Sequence, residues 1–482
     1  MPPKIVQSPR CLKDSPRTLR GATALVVVLS ITLTGCSAWS PTPLELPDVA
    51  IPANWSNPAL SASGAGASAS TDSLAQWWQV FNDPLLSTLV TRSLQANTSI
   101  RSAQAALQQS RALRDVSQGR LLPSASASGS ARRSDSNESG SGNRFSAGLD
   151  ASWEPDIFGG QRSALNASEA ETQVSQASLG GAQVSVAAEV ALAYIELRGQ
   201  QAQLTIARIN LANQQETLQI TDWRAQAGLI TSLEVEQARA ASEQTRAQIP
   251  SLESGIARTL HSLAVLTGQS LDALQRQLSA PQPVPEAAET LALRIPAQTL
   301  RQRPDVRAAE HRISAALARV SAADAARYPS FRISGSLNLN AVTLGALTSG
   351  ASVASALLAG ISVPLFDGGA ARAQVRAQEA ALEQARVTYE SVVLTALKEV
   401  EDALVTLAGD RTRLVHLQSA AMAAGNAALL AQNRYSSGLI DFQTVLQTQR
   451  TLLTAQDSVA SSRADISADH VRLYKALGGG WN

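Results

Sequence analysis

From residue 161 to residue 227 the chain runs for 67 residues without a proline, in a helical pattern rich in Ala, Gln, Leu and Arg. A straight helix of that length measures roughly 100 Å, more than a compact domain can hold. The fold must therefore be elongated, with shorter helices stacked end to end beside the long one. Two suitable segments flank it. Residues 84–119 carry Leu86, Leu89, Val90, Ile100, Leu107 and Leu113 at helical spacing, and a second helix is expected from Ser232 to near Gly268, interrupted at Pro250. Each would cover about half of the long helix. Gly180 and Gly181 mark either a soft point in that helix or a place of close packing.

The whole plan occurs twice. Pro123-Ser124, followed by Gly129-Ser130, is repeated as Pro329-Ser330 and Gly335-Ser336, at an offset of 206. Farther on, Glu189-Val190 reappears as Glu399-Val400, Gly228-Leu229-Ile230 as Gly438-Leu439-Ile440, and Gly268 as Gly478, at an offset of 210. The change of offset falls between the Pro-Ser turns and the second long helix, where a loop can lengthen. Helices are expected in the second copy over residues 304–327, 370–437 and 442–477.

Between the helices of each copy the period changes. Residues 123–132 and 145–153 are rich in Ser and Gly, alternate Phe145, Leu149 and Trp153 with small or polar residues, and bracket a polar loop at 134–143. That pattern predicts a β-hairpin. A second hairpin is expected from residues 330–340 and 352–366, where Pro364 fits only an edge, a strand end or a bulge. The fold class is thus mixed α+β and internally duplicated. Four strands cannot close a membrane barrel, yet only a closed barrel satisfies backbone groups in lipid. A membrane-spanning reading therefore requires several chains.

The N-terminus carries Lys4, Arg10, Lys13, Arg17 and Arg20, then an apolar stretch over residues 22–33. This is the layout of a bacterial export signal, and the apolar part is too short to span a bilayer. Leu33-Thr34-Gly35-Cys36 resembles a lipobox, which implies cleavage before Cys36 and a diacylglycerol and N-acyl lipid on that residue. Cleavage would leave a mature chain of net charge −3 with no free thiol, excluding disulfides and cysteine catalysis. Ser37 after the cysteine favours the outer over the inner membrane. The expected organisation is a signal peptide at 1–35 and a lipid-anchored tether at 36–70, rich in Pro, Asn, Ser, Ala and Gly. Repeat 1 follows at 71–280, with its hairpin at about 123–156, and repeat 2 at 281–482, with its hairpin at about 329–366.

Four strings in this order carry a family resemblance. They are Trp153-Glu154-Pro155-Asp156-Ile157-Phe158-Gly159, Leu300-Arg301-Gln302-Arg303-Pro304-Asp305-Val306, Val363-Pro364-Leu365-Phe366-Asp367-Gly368-Gly369 and Arg434-Tyr435-Ser436-Ser437-Gly438-Leu439-Ile440. Together with the lipobox and the duplication, they resemble the TolC-like outer-membrane factor (outer membrane efflux protein) family, in its NodT-like lipoprotein branch. The resemblance implies a homotrimer: a twelve-stranded outer-membrane β-barrel, within the range of such barrels, continued by a long α-helical coiled-coil tunnel into the periplasm. It implies a passive exit duct for drugs or other small toxic compounds, with no enzymatic activity. An inner-membrane pump, proton-driven, would supply the energy, and a periplasmic adaptor would join the two. Gly228, Leu229 and Ile230, with Gly438, Leu439 and Ile440, would form the adaptor-docking tips: the glycines suit the left-handed position ending a helix, and the following residues expose an apolar knob. A plain hairpin turn is the alternative. The periplasmic gate of such ducts resembles a ring held by a Tyr before the tip and acids after it. Tyr435 matches the Tyr, but the acidic positions read Thr444 and Gln447, with Glu234 at the equivalent place in copy one. Polar bonds among Tyr435, Arg434 and Asp441 are the expectation for the lock.

Other functions find little purchase. A net charge of +1 over the full chain offers no basic footprint for nucleic acid. His261, His311, His416 and His470 lie far apart with no i, i+4 pairing, so no metal or other cofactor is expected. Glu401-Asp402 reads as solvated or tunnel-lining charge, and Trp77-Trp78 as core anchors. The competing functions are a type I protein secretion duct and a lipid-anchored coiled-coil envelope protein without a pore.

Overall fold

The computed structural model describes residues 75–136, 140–287, 297–348 and 353–479, together with Pro47. The expected signal peptide, Cys36 and nearly all of the expected tether lie outside the described residues.

Repeat 1 comprises α1 (Pro84–Ala96), α2 (Thr98–Gly119), β1 (Ser124–Ser136), β2 (Gly140–Trp153), α3 (Gly160–Gln226), α4 (Ser232–Thr267) and the short α5 (Leu271–Leu278). Repeat 2 comprises α6 (Pro304–Ala325), β3 (Ser330–Ala341), β4 (Val353–Ser362), α7 (Ala370–Ser436) and α8 (Phe442–Ala476). Both long helices have 67 residues, α2 and α6 both have 22, and the paired helices start at the same offsets of 206 and 210 as the sequence matches. Helix α3 packs against α2 over one half and α4 over the other, while α7 packs against α6 and α8 in the same way.

Four boundaries differ from expectation, each for a local reason. The helix expected over 84–119 is split at Asn97. Its side-chain oxygen accepts from the backbone of Ser99 (2.8 Å) and Ile100 (3.4 Å), capping α2, and its amide donates to the Leu266 carbonyl at 2.9 Å. Helix α4 runs through Pro250 without interruption; the proline lies on the exposed side, where the missing main-chain bond is open to water. The first hairpin is longer than expected, pairing as far as Ser136 with Gly140, because no proline interrupts the polar strand ends. Strand β4 stops at Ser362, two residues before Pro364, which has no N–H to donate. Helix α3 passes Gly180–Gly181 unbroken, and a Cβ at Gly181 would meet the Pro304 side chain at 3.7 Å.

The main core sits at mid-length of both long helices. Val190, Tyr194, Ile195 and Leu197 of α3 and Val400 and Leu404 of α7 are buried with Leu86, Leu263, Val306, Val471 and Tyr474. Trp77, fully buried, stacks on Tyr474 at 5.5 Å, and Trp78 meets it edge-on at 5.8 Å, so both act as core anchors. Burying each such side chain contributes about 1.5–3 kcal/mol. The link between the repeats is held here too: buried Arg198 donates to the Ala280 carbonyl (2.9 Å) and Gln201 to that of Leu278 (2.8 Å).

The four strands form one antiparallel sheet in the order β1-β2-β3-β4. The register sorts its side chains into two faces. One face carries Ala125, Ala127 and Ala131, then Phe145, Leu149 and Trp153, then Phe331, Ile333, Leu337 and Leu339, then Val353, Leu357 and Ile361. The other is serine-rich, from Ser124, Ser126, Ser128 and Ser130 to Ser146, Ser152, Ser334, Ser336 and Asn338. Ser130 and Ser146 hydrogen-bond to each other across it at 2.8 Å. Phe145 and Trp153 bound nine residues of β2 that are apolar at alternate positions, the length of a tilted strand crossing a bilayer. Both edges of the sheet, β1 and β4, lack a partner strand within the described chain.

Candidate functional site at the helical tips

At the end remote from the sheet, each long helix turns back into its shorter partner through the same device. Gly228 (φ 71°) and Gly438 (φ 72°) take the left-handed conformation. The Gly228 N–H donates to the Ala225 carbonyl and the Leu229 N–H to that of Arg224, both at 2.9 Å. The Gly438 N–H donates to Tyr435 (3.0 Å) and the Leu439 N–H to Arg434 (2.9 Å). These are Schellman terminations, which close the last carbonyls of a helix and favour glycine because a Cβ is strained at this φ. The leucines project: Leu229 is 71% exposed and Leu439 73%. The isoleucines depart from the expected knob. Ile230 is half-buried, and Ile440 packs on a cluster of Ala238, Ala241, Ala431, Phe442, Val445 and Leu446 that joins the two hairpins.

Beside that cluster Tyr435 links the hairpin of α7 and α8 to that of α3 and α4. Its hydroxyl donates to Glu234 Oε2 at 3.1 Å, its ring lies 5.3 Å from Phe442, and the Arg224 guanidinium sits 5.0 Å over its face. Burial, then the Glu234 carboxylate, pushes the Tyr435 phenol above its ordinary value, with Arg224 opposing. The phenol is therefore a neutral donor throughout the physiological range.

This partner set corrects the expected one. Asp441 caps α8, its carboxylate accepting from the Thr444 backbone (2.8 Å) and hydroxyl (2.6 Å). Those bonds hold its carboxyl below the ordinary carboxylate range. Arg434 contributes its carbonyl to the tip turn. The residues that meet Tyr435 are instead Glu234 and Arg224, from copy one. Glu234 stands where the sequence placed the copy-one equivalent of the gate acid; α4 has no side-chain cap, and the Glu234 carboxylate reaches Tyr435. Arg224 is the offset-210 equivalent of Arg434 itself, so the duplication held the signal.

The pattern of the family described as outer membrane efflux protein matches residues 89–269 and 295–479. The chain belongs to this family. Among its relatives, the toluene efflux pump outer membrane protein TtgF of Pseudomonas putida is 31% identical over 471 residues, spanning 95% of this chain and 97% of that protein. The pyoverdine export outer membrane protein OpmQ of Pseudomonas aeruginosa is 32% identical over 482 residues, with coverage of 95% and 97%. Among solved structures, the outer-membrane channel OprN superposes with a TM-score of 0.81 at 35% identity, covering 91% of this chain and 99% of that one. The fold is accordingly that of a TolC-like channel subunit, and the protein is an outer-membrane efflux protein, of a family of transport channels rather than enzymes.

Proposed function

We propose that three copies of this chain form a passive duct through the outer membrane. Small molecules would enter it from an inner-membrane pump, proton-driven, through a periplasmic adaptor that docks on Leu229 and Leu439. Cys36 carries the lipid that tethers each copy to the outer membrane. The observation that carries this reading is the pairing of an open-edged sheet, apolar on one face and serine-rich on the other, with an exposed apolar stripe on α7. Val387 and Leu394, and then Val415, Met422 and Leu429, lie seven residues apart in two runs that share one heptad register across Glu401 and Ala408, and all five are exposed. Only 17% of the most apolar window of α7 is buried in a single chain. A seven-residue apolar repeat calls for a partner helix in a left-handed supercoil, and a closed ring of copies supplies both that partner and the missing strands. The toluene and pyoverdine named for the relatives belong to the class of small cargo this duct would carry.

The test is expression with its cognate pump and adaptor in a cell lacking its own duct, scored by resistance to small toxic compounds and by the mass of the purified assembly. Val415→Asp with Met422→Asp is expected to yield monomers and abolish resistance. A wild-type protein that is monomeric in detergent and in vesicles, or that restores no efflux, overturns the reading.

A further inference from the structure

The serine-rich face of the sheet carries one concentrated charge. Arg132 of β1 and Arg144 of β2 are directly opposite each other in the register, one step beyond the bonded pair Ser130 and Ser146 and on the same face. Arg144 precedes Phe145, so the pair is level with the far end of the nine-residue apolar band, away from the helices. Like charges directly opposite in a sheet repel. Neither arginine forms an ion pair among the described residues. Among the described residues the nearest acids do not serve: Asp135 lies on the apolar face, and Asp150 is six residues down β2, about 20 Å away along the strand. An unscreened pair of guanidiniums is stabilised by an anion between or before them.

We propose that Arg132 and Arg144 form an anion-attracting ring inside the outer mouth of the duct, favouring anionic over cationic solutes at the point of exit. This rests on the trimeric duct above, in which the serine face lines the lumen and the apolar face meets lipid. Three copies place six guanidiniums at one level. Twelve strands at about 4.8 Å spacing and ordinary tilt give a backbone radius of about 12 Å. The side chains bring their charges to within about a Debye length of the axis at physiological salt, so a passing ion feels all six. The cargo class this favours is carboxylates, phosphates and other small anions; cations meet a barrier at the same ring.

The experiment uses the full-length trimer in planar bilayers, with Tyr435→Ala as background so that the tips do not limit the current. The reversal potential is read under a KCl gradient at low salt. The background channel is expected to prefer chloride, and adding Arg132→Ser with Arg144→Ser to lower the chloride-to-potassium permeability ratio by at least about threefold, less at high salt. Serine matches the rest of that face, so the sheet is retained. Arg133→Ser, one residue along and on the opposite face, is the control and should leave the ratio unchanged. An unchanged ratio in the double variant overturns the proposal while the duct reading stands. An equal shift from Arg133→Ser overturns the assignment of the charge to the lumen. No conductance from any variant overturns the duct reading and the ring with it.

Discussion

Removing one oxygen atom, in Tyr435→Phe, isolates the contact between the hairpins. The substitution deletes the hydrogen bond to Glu234 at 3.1 Å and leaves in place the ring contact with Phe442 and the aromatic face under Arg224. A hydrogen bond to a charged acceptor contributes about 1.5–3 kcal/mol; half-burial and solvent screening place this one at the lower end, about 1.5 kcal/mol. Three such bonds in a trimer sum to about 4.5 kcal/mol. If the tips part together, as a ring must to widen evenly, the open state gains about a thousandfold in population; if they part singly, each gains about tenfold. Open probability in planar bilayers distinguishes these outcomes, with susceptibility to a large antibiotic normally kept out of the cell as the readout in vivo. Glu234→Gln should give a smaller effect, since the neutral amide still accepts from the phenol. Arg224→Gln should add only the cation–π contribution, about 0.5–1 kcal/mol. An open probability for Tyr435→Phe within twofold of wild type would refute the reasoning and leave the bond a packing detail.

Three further outcomes are expected. Cys36→Ser should abolish labelling by a palmitate analogue while conductance of the inserted trimer persists; labelling that survives would show the lipid to be elsewhere. Leu229→Asp with Leu439→Asp should weaken adaptor binding at least tenfold in a pull-down with the purified adaptor and leave conductance unchanged, because both side chains project from the tips; full binding would remove the leucines from the docking surface. Asp469, buried on α8, has its carboxyl pushed up to about 6 by desolvation and by neighbouring Asp410, against the opposing pull of Arg472 at 2.6 Å. A carboxyl raised in the folded state contributes stability that is present below its ordinary value and lost as pH rises through about 6. Asp469→Asn should therefore gain in thermal midpoint relative to wild type between pH 5 and pH 7.5, and a pH-independent difference would contradict it.

The long helices were legible because nothing in 67 residues forbids a helix and because their copies agree in register. Gly228 and Gly438 were legible for a similar reason: a glycine before an apolar pair, at the end of a periodic run, leaves little choice but a left-handed cap. Asn97 was not, since the apolar spacing from Leu89 to Ile100 continues across it; its role as a cap depends on where Leu266 lies, 169 residues on. The extension of β1 to Ser136 was hidden because strand ends with water on both faces lose their alternation. The partner of Tyr435 was half legible: Glu234 stood out as the acid at the equivalent place in copy one, but nothing in the sequence joined it to Tyr435. Asp441 is close in sequence but serves its own helix, while Glu234 is 201 residues away in the other copy.

The duplication has a further consequence at the tips. The two turns of one chain share backbone geometry, but Ala225 stands where the second copy has Tyr435, and Thr444 where the first has Glu234. Seen from the periplasm, the proposed trimer would offer six nearly equivalent turns and only three phenol bonds. A partner that reads backbone turns and projecting leucines meets an object of pseudo-sixfold symmetry, suited to six identical binding arms. The bonds that would have to break obey the true threefold axis. Six equal arms can pull these three bonds apart only by displacing alternate hairpins unequally, so engagement and opening become separable steps within one binding event.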